Sequence, residues 1–258
     1  MAHSVCTSQS AARGWEVSVG PQTNAARGWS VATVPSPLPR LPLRRPLLAA
    51  VWLALVLYSV TAVPPVRPET WQLVQDAVLG RVAALDPAIF AVFNLLGVWP
   101  MMFAAVLLAD AAGRRLPAWP FVIGSFFSGA FAVLPYLALR DDHGDFPGER
   151  RAFVRFFDAR ATGVLLALST LALVAYGLTG SPAVYAEWFE ADALVHIMTI
   201  DFCLLCLIFP TVLGDDMARR GLQSRTLFWA VSLVPLLGPA SYLALRPRLT
   251  ETGDFGGQ

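Results

Sequence analysis

The chain has 258 residues, of which 56% are hydrophobic and 14% charged, and its formal net charge is +1. This composition is typical of membrane proteins and excludes an ordinary soluble globular domain. The near-zero net charge gives no basic surface for nucleic acid, so no nucleic-acid partner is expected. The three cysteines cannot form a disulfide framework.

The first segment, residues 1–45, has the composition of an organelle transit peptide. It contains five arginines but only one acidic residue, Glu16, together with serine, threonine and alanine. Acid-poor, arginine-bearing leaders of this kind direct proteins to mitochondria and chloroplasts. The pentapeptide AARGW occurs at 11–15 and again at 25–29, which is low-complexity repetition rather than a domain. We expect this segment to be disordered and to be removed after import; a disordered tail without a targeting role is the alternative.

The next segment, residues 46–63, is an apolar run preceded by Arg44 and Arg45. Its length is sufficient for a short transmembrane helix, which is the interpretation we favour. The same features also fit the second half of a bipartite targeting signal that is cleaved. Residues 64–87 are mixed in polarity, and their apolar side chains fall near one helical face, which predicts an amphipathic segment at the membrane interface.

Residues 88–248 form the predicted helical membrane domain, and residues 249–258 are a predicted disordered tail. Runs of mostly apolar residues alternate here with short polar loops. Together with 46–63, they predict an all-α polytopic membrane protein with five or six transmembrane helices. The runs within the domain are 88–109, 119–139, 161–178, 194–213 and 226–245.

The domain contains an internal repeat with an offset of 106 residues. Residues 86–140 and 192–246 share 13 identities in 55 positions, including the pentapeptide YLALR at the end of each copy. Three predicted spans separate equivalent positions, so we expect the copies to lie inverted in the membrane, as in many transporters. If every predicted span crosses the membrane, seven arginines fall on one side and ten on the other. This nearly even division does not decide the orientation.

The run at 194–213 carries the ionisable residues that are rarest at membrane depth. Such residues usually face a bundle interior, a partner or a water-filled cavity. They could contact a ligand or move protons, and Asn94 on an earlier span is more typical of a helix–helix hydrogen bond. The candidate ligand-binding residues are His196, Asp201, Asn94 and Asp192.

His196, Cys203 and Cys206 fall on one stripe of this helix and are the candidate ligands for a metal or haem iron. One helix rarely presents three ligands in tetrahedral geometry, so we predict no metal site. Cys203 and Cys206 also have the spacing of a redox pair, but thiols in apolar surroundings carry little thiolate. Structural cysteines, with His196 hydrogen-bonded between helices, are the interpretation we favour.

Three blocks, at 93–108, 116–140 and 196–247, resemble an uncharacterised family of cyanobacterial and chloroplast integral membrane proteins. This resemblance implies a plastid membrane but no activity. A more distant similarity is to the membrane proteins of the abscisic-acid-deficient-4 type, which are linked to neoxanthin formation. In this sequence that similarity involves Asn94, His196 with Asp201, and the pair Gly238-Pro239.

These observations predict a plastid integral membrane protein, with the mitochondrial inner membrane as the alternative location. No complete catalytic or nucleotide-binding motif occurs, so a non-catalytic role is favoured over an enzymatic one. That role would be binding a pigment such as a carotenoid or chlorophyll, a quinone or a membrane lipid, or assisting assembly of a photosynthetic membrane complex. The alternatives are a membrane-embedded enzyme that modifies isoprenoids or carotenoids and a small transporter. No cofactor is identified.

Overall fold

The computed structural model describes residues 43–110, 116–140 and 152–249, except for the side chains of 152 and 153. Within these ranges all regular structure is helical and no strand occurs. This confirms the predicted class, an all-α polytopic membrane protein. The predicted disordered tail, apart from residue 249, and the predicted transit peptide, apart from residues 43–45, lie outside the described residues.

Four helical segments are long and apolar enough to cross a membrane, and shorter helices connect them. The long segments are α1 (Arg44–Thr61), α3 (Pro87–Asp110), α7 (Arg160–Gly177) and the nearly continuous pair α9 (Ala193–Ile208) and α10 (Pro210–Arg219). The short helices are α2 (Thr70–Val78), α4 (Trp119–Ser128), α5 (Ala130–Leu139), α6 (Ala152–Asp158), α8 (Pro182–Ala191), α11 (Arg225–Leu233) and α12 (Leu237–Leu245).

The predicted span at 119–139 is a hairpin of two half-length helices, α4 and α5, that meet at Gly129. The rings of Phe121 and Tyr136 lie 5.4 Å apart, so the two helices run back along each other. Arg140, which follows α5, contacts Asp110 at the end of α3 through an Nη1–Oδ2 pair of 2.6 Å. Each helix has ten residues, or about 15 Å, which is half the ~30 Å hydrocarbon thickness. The hairpin therefore enters the membrane and returns to the same end.

The predicted span at 226–245 has the same construction. Helices α11 and α12 are separated at Leu236, whose φ of 65° is left-handed. The guanidinium of Arg220, which precedes α11, donates to the carbonyl of Pro247, which follows α12, at 2.5 Å. Both ends of this hairpin therefore also lie together. The five or six predicted spans become four long helical segments and two half-membrane hairpins.

The internal repeat is visible in the structure, but its copies run in the same direction. Shifting α4 and α5 by 106 residues places them on α11 and α12 to within one residue. Asp110 and Asp216 are equivalent residues, and both approach Arg219, at 2.5 Å and 3.8 Å. Because the equivalent ends of α3 and α10 lie together, the expected inverted repeat is corrected to a parallel one. Its cause is the hairpin at 119–139, which removes one of the three crossings that the sequence count placed between the copies and leaves an even number.

The repeat copies meet along the middle of the bundle. The rings of the equivalent residues Phe103 and Phe209 pack with their centroids 5.5 Å apart, and Trp99 packs against both. All three side chains are fully buried. This aromatic contact between α3 and the α9–α10 segment forms the centre of the hydrophobic core.

The two ends of the bundle differ in charge. We call the end that holds Asp110, Arg140, Asp216 and Arg246 the arginine end. Among the residues that the structure describes, ten arginines and four acidic residues lie there, whereas two arginines and six acidic residues lie at the opposite end. The arginines of the first group are Arg44, Arg45, Arg140, Arg155, Arg160, Arg219, Arg220, Arg225, Arg246 and Arg248; those of the second are Arg67 and Arg81.

At the opposite end, α2 and α8 precede the long helices of their repeat copies. The amphipathic prediction for 64–87 corresponds to α2, which buries Leu73 and Ala77 against the bundle. On the same half of α2, Trp71 is 70% exposed and is left largely uncovered by the bundle. The segment predicted as a transmembrane helix or cleaved signal is α1, which packs along α5. That α1 is retained rather than cleaved stays a prediction, and the packing of α1 along α5 favours it.

Candidate functional site

The most unusual polar group in the bundle is the carboxylate of Asp201, which is 5% exposed. It lies eight residues into α9, or about 12 Å from the start of that helix. Its Oδ1 accepts a hydrogen bond from the backbone N–H of Ala130 at 2.7 Å. Ala130 is the first residue of α5, so Asp201 caps a helix that begins inside the membrane.

Local sequence explains why the chain turns at this position. Gly129 has φ 49° and ψ −121°, a conformation that residues with a Cβ rarely adopt. A Cβ at Gly129 would also overlap the carboxylate of Asp201. Glycine is therefore required both for the turn and for the close approach of the acid. We call Asp201, Gly129 and Ala130 the hairpin-tip site.

The electrostatics of the hairpin-tip site favour a negative group. The N-terminus of a helix carries a partial positive charge from its unpaired N–H groups. The Asp201 carboxylate sits at such an end, where it complements that charge. One capping bond does not replace the hydration of a carboxylate at membrane depth, so the site is suited to take up a proton or a small cation.

The second hairpin has no equivalent acid. The repeat position of Asp201 is Leu95 on α3, which is buried and apolar. The repeat is therefore symmetric in its helices but not in this group.

His196 lies in a different environment from Asp201. Its Nδ1 and Nε2 are hydrogen-bonded to the carbonyl of Phe189 at 2.7 Å and the hydroxyl of Tyr58 at 2.6 Å. The imidazole stacks on the ring of Phe189 with centroids 4.3 Å apart, and the ring of Tyr58 lies beside it with centroids 5.8 Å apart. Both ring nitrogens are used, as the favoured interpretation of a hydrogen-bonded histidine predicts. His196 contacts α1 and α8, whereas Asp201 contacts the hairpin tip, so the two do not form one catalytic pair.

The other candidate residues have structural contacts. Asn94 donates to the carbonyl of Phe90 within its own helix at 2.9 Å, rather than to another helix. Asp192 caps α9 by accepting from Leu194 and Val195 at 3.0 Å, and Thr70 donates to it. Asp192 is fully buried by these partners.

The cysteines do not assemble a metal site with His196. Cys203 is exposed and Cys206 is half-buried, and both are free thiols. Among the described residues, no group of three or more histidine, cysteine or acidic side chains could hold a metal ion.

A network of ion pairs closes the arginine end. Arg140 contacts Asp110 and Asp215 at 2.6 Å each, and its repeat mate Arg246 contacts Asp216 at 3.0 Å. Burial by itself lowers the pKa of Arg140, but the carboxylates of Asp110 and Asp215 outweigh burial and raise that pKa above its usual value. The network fastens the returning end of each hairpin to the long helix before it.

Sequence reasoning did not find the partners in these contacts. The signal was present in the repeat, because Asp110 and Arg140 recur together as Asp216 and Arg246 at one fixed spacing. Two charges that recur together can be read as a pair. For Gly129 no such signal exists, since it is one of 19 glycines.

Together, the fold and the site define an all-α polytopic membrane protein with two parallel repeat copies and one acid at a hairpin tip. No family model, no curated protein and no solved structure matches the chain.

Proposed function

We propose that the protein is a small membrane transporter in which Asp201 is the binding group for a proton or a small monovalent cation. The observation that carries this proposal is the Asp201 carboxylate bound to the first N–H of a half-membrane helix. An ionisable residue inside a membrane is costly to retain, and it marks transport and proton pathways more often than structural sites.

The surrounding architecture supports the same proposal. Backbone that turns at membrane depth is stable only where protein buries it or where it lines a cavity. Transporters use such interrupted helices, and internal repeats, to build sites near the middle of the bilayer. Here the turn at Gly129 leaves no side chain between the tip backbone and Asp201, so a small ion can be coordinated by both.

In this mechanism each residue has a separate task. The N–H of Ala130 holds one carboxylate oxygen and fixes the orientation of Asp201. The other oxygen faces Gly129 and is the atom that accepts the proton or cation. The ion pairs at Arg140 and Arg246 keep the hairpins anchored while an ion reaches the tip.

The test is ion flux into liposomes that contain the purified full-length chain, measured for H⁺, Na⁺ and K⁺ with ion-sensitive dyes. Asp201→Asn keeps the oxygen that accepts from Ala130 but removes the charge, so we expect it to fold and to lose flux by roughly tenfold or more.

Asp86→Asn is the matched control. Asp86 also caps a long helix, accepting from Ala88 at 2.8 Å, but it lies at the opposite end of the bundle. Its amide keeps the cap on Ala88 but loses the bond that the other carboxylate oxygen accepts from the N–H of Ser181 at 2.9 Å. Flux per amount of folded protein should stay within about twofold of wild type, because Asp86 lies at the opposite end of the bundle from the proposed ion site. If Asp201→Asn has the same flux as wild type, the transporter proposal is refuted. It is also refuted if wild type shows no flux of H⁺, Na⁺ or K⁺.

A second candidate function is binding of a pigment, quinone or lipid in a plastid membrane. The aromatic cluster of Tyr58, His196 and Phe189 favours it, since aromatic rings pack favourably against other flat rings. The leader composition and the resemblance to chloroplast proteins support the location.

Organelle fractionation followed by pigment and lipid extraction tests this candidate and its location, with wild type beside His196→Ala. A bound chromophore or quinone that the variant loses would support a ligand site at His196. Equal extracts from both proteins would refute a ligand site at His196. Recovery of the protein in the mitochondrial fraction would refute the plastid location.

A further inference from the structure

The last turn of α4 leaves backbone carbonyls without donors. In a helix each carbonyl accepts from the N–H four residues later, so the carbonyls of the last turn depend on the residues that follow the helix. The N–H of Gly129 donates to the carbonyl of Ser125 at 2.9 Å, but the N–H of Ala130 donates to Asp201 instead. Among the described residues, nothing donates to the carbonyls of residues 126–128. We call these three groups the open carbonyls.

The open carbonyls lie at membrane depth. The ten residues of α4 bring its end to about the middle of the membrane. The side chains of residues 126–128 are exposed, and that of Phe127 is 90% exposed. Backbone groups without partners are not stable against hydrocarbon, and they occur at this depth only where protein buries them or where they line a polar cavity. The open carbonyls therefore need a polar partner from outside the described helices.

Opposite partial charges meet at this tip. The carbonyl end of α4 is partially negative, and the N–H end of α5 is partially positive. Oδ1 of Asp201 satisfies the positive end, through the N–H of Ala130 at 2.7 Å. Oδ2 of Asp201 occupies the place that a Cβ of Gly129 would take. It therefore touches the residue that directly follows the open carbonyl of Ser128. Two negative oxygens thus adjoin Gly129, and a cation beside it would satisfy both.

The hydroxyl of Ser128 adds another oxygen at the same turn. It donates to the carbonyl of Gly124 at 3.0 Å, so its proton is already used. Its oxygen keeps lone pairs that can accept from a donor or bind a cation. The turn therefore presents carboxylate, carbonyl and hydroxyl oxygens, which are the ligands that hard cations take.

The second hairpin differs at each of these positions. The repeat equivalent of Ser128 is Val234, which has no hydroxyl, and its carbonyl accepts from the N–H of Gly238 at 2.8 Å. The repeat position of Asp201 is the uncharged Leu95. We therefore expect one ion per chain.

We propose that the ion of the hairpin-tip site is Na⁺, coordinated by Oδ2 of Asp201, the hydroxyl oxygen of Ser128 and the open carbonyls. This inference rests on the proposed function, from which it takes Asp201 as the ion-binding group. It adds the identity of the ion and Ser128 as a residue that determines specificity.

The oxygens of the tip distinguish Na⁺ from the other two ions. A proton binds one carboxylate oxygen and leaves the open carbonyls without a partner, whereas a metal ion is bound by several oxygens together. Interrupted helices in transporters coordinate Na⁺ through their carbonyl ends in this way. The turn at Gly129 is too tight for a Cβ, which favours Na⁺ over the larger K⁺.

The experiment measures binding of radioactive Na⁺ to the purified full-length chain in detergent, together with Na⁺, K⁺ and H⁺ flux in liposomes. For wild type we expect one Na⁺ per chain, with little displacement by an equal concentration of K⁺. Asp201→Asn should abolish binding. Ser128→Ala removes one ligand and should raise the Na⁺ concentration for half-saturation by roughly fivefold or more. Its maximal Na⁺ flux should fall less than about twofold, because the other ligands remain.

Ser232→Ala is the matched control, since Ser232 lies in the last turn of α11 in the second hairpin. It should bind Na⁺ as wild type does. Ser128→Thr keeps the hydroxyl and should recover most of the affinity that Ser128→Ala loses. If Ser128 only stabilises α4 through its bond to Gly124, Ser128→Ala would lower the unfolding midpoint and leave half-saturation by Na⁺ unchanged.

Three outcomes would overturn the Na⁺ site: H⁺ flux by a wild type that binds no Na⁺, unchanged half-saturation in Ser128→Ala, or equal competition by K⁺. Each leaves the transporter proposal in place as long as Asp201→Asn loses flux. Conversely, Na⁺ binding that depends on Asp201 and Ser128, with no flux of any ion, would refute the transporter proposal and support the site. The two failures are therefore distinguishable.

Discussion

At the scale of single residues, aspartate has three different roles in this protein, and its surroundings decide which. Asp86 and Asp192 cap long helices at the end of the bundle, where N–H groups satisfy them. Asp216 is fully buried among arginines. Asp201 caps a helix in the middle of the membrane with a single N–H partner recorded in the described structure. The proposed ion site uses the last of these three arrangements.

Gly129→Ala tests the geometry of the hairpin tip. The left-handed backbone and the overlap with Asp201 should together destabilise the protein by about 3 kcal/mol. Thermal unfolding in detergent measures the loss as a lower midpoint. Gly97→Ala is the control, since a Cβ there has open space within a helix, and it should be neutral or slightly stabilising. Equal midpoints for the two variants would show that the tip is not strained.

At the scale of helices, a proline in α5 determines where this half-membrane helix accepts a hydrogen bond from its neighbour α1. Pro135 in α5 has no N–H, so the carbonyl of Phe131 four residues earlier lacks its helical donor. The indole N–H of Trp52 on α1 supplies that bond at 3.0 Å. The proline thus creates the contact that fastens α1 to the hairpin.

A double-mutant cycle tests this exchange. Trp52→Phe leaves a carbonyl without a donor and should cost about 1–2 kcal/mol. Pro135→Ala restores the N–H, so the same Trp52→Phe change in that background should cost less than about 0.5 kcal/mol. Unfolding free energies of the four proteins give the coupling. An unchanged cost in the Pro135→Ala background would mean that Trp52 acts through packing alone.

At the scale of the whole molecule, the hairpins change the predicted topology. When both hairpins return to the end from which they start, the twelve described arginines divide ten to two, whereas six full crossings would divide the same twelve eight to four. Arginine-rich ends remain on the side from which a membrane protein is inserted. The arginine end should therefore face the stroma in a plastid, or the matrix in a mitochondrion.

Cysteine labelling tests this topology in sealed vesicles. In a chain whose native cysteines are replaced by serine or alanine, Arg155→Cys and Arg248→Cys should react from one side, and Glu187→Cys from the other. Six full crossings would instead put residues 155 and 248 on opposite sides. A membrane-impermeant maleimide distinguishes the two arrangements, and unequal access to residues 155 and 248 would contradict the hairpins.

The sequence by itself determined the class of protein, the existence of the repeat and the residues worth attention. Apolar runs must be buried in lipid or protein, so their number and length show a polytopic helical bundle whatever its packing. The importance of Asp201 follows in the same way, because a charge in such a run is costly. These conclusions depend on composition and spacing, which are local properties.

Tertiary structure alone decided whether an apolar run crosses the membrane or returns. Residues 119–139 are long enough to cross, and the contacts of Phe121 with Tyr136 and of Arg140 with Asp110 show that they do not. It also supplied the contacts of His196, with α1 and α8, and of Asp201, with the hairpin tip, although the helical period alone already places these two side chains on nearly opposite faces. Partners such as Ala130 and Asp201 are 71 residues apart, and no periodicity within a segment encodes a contact over that distance.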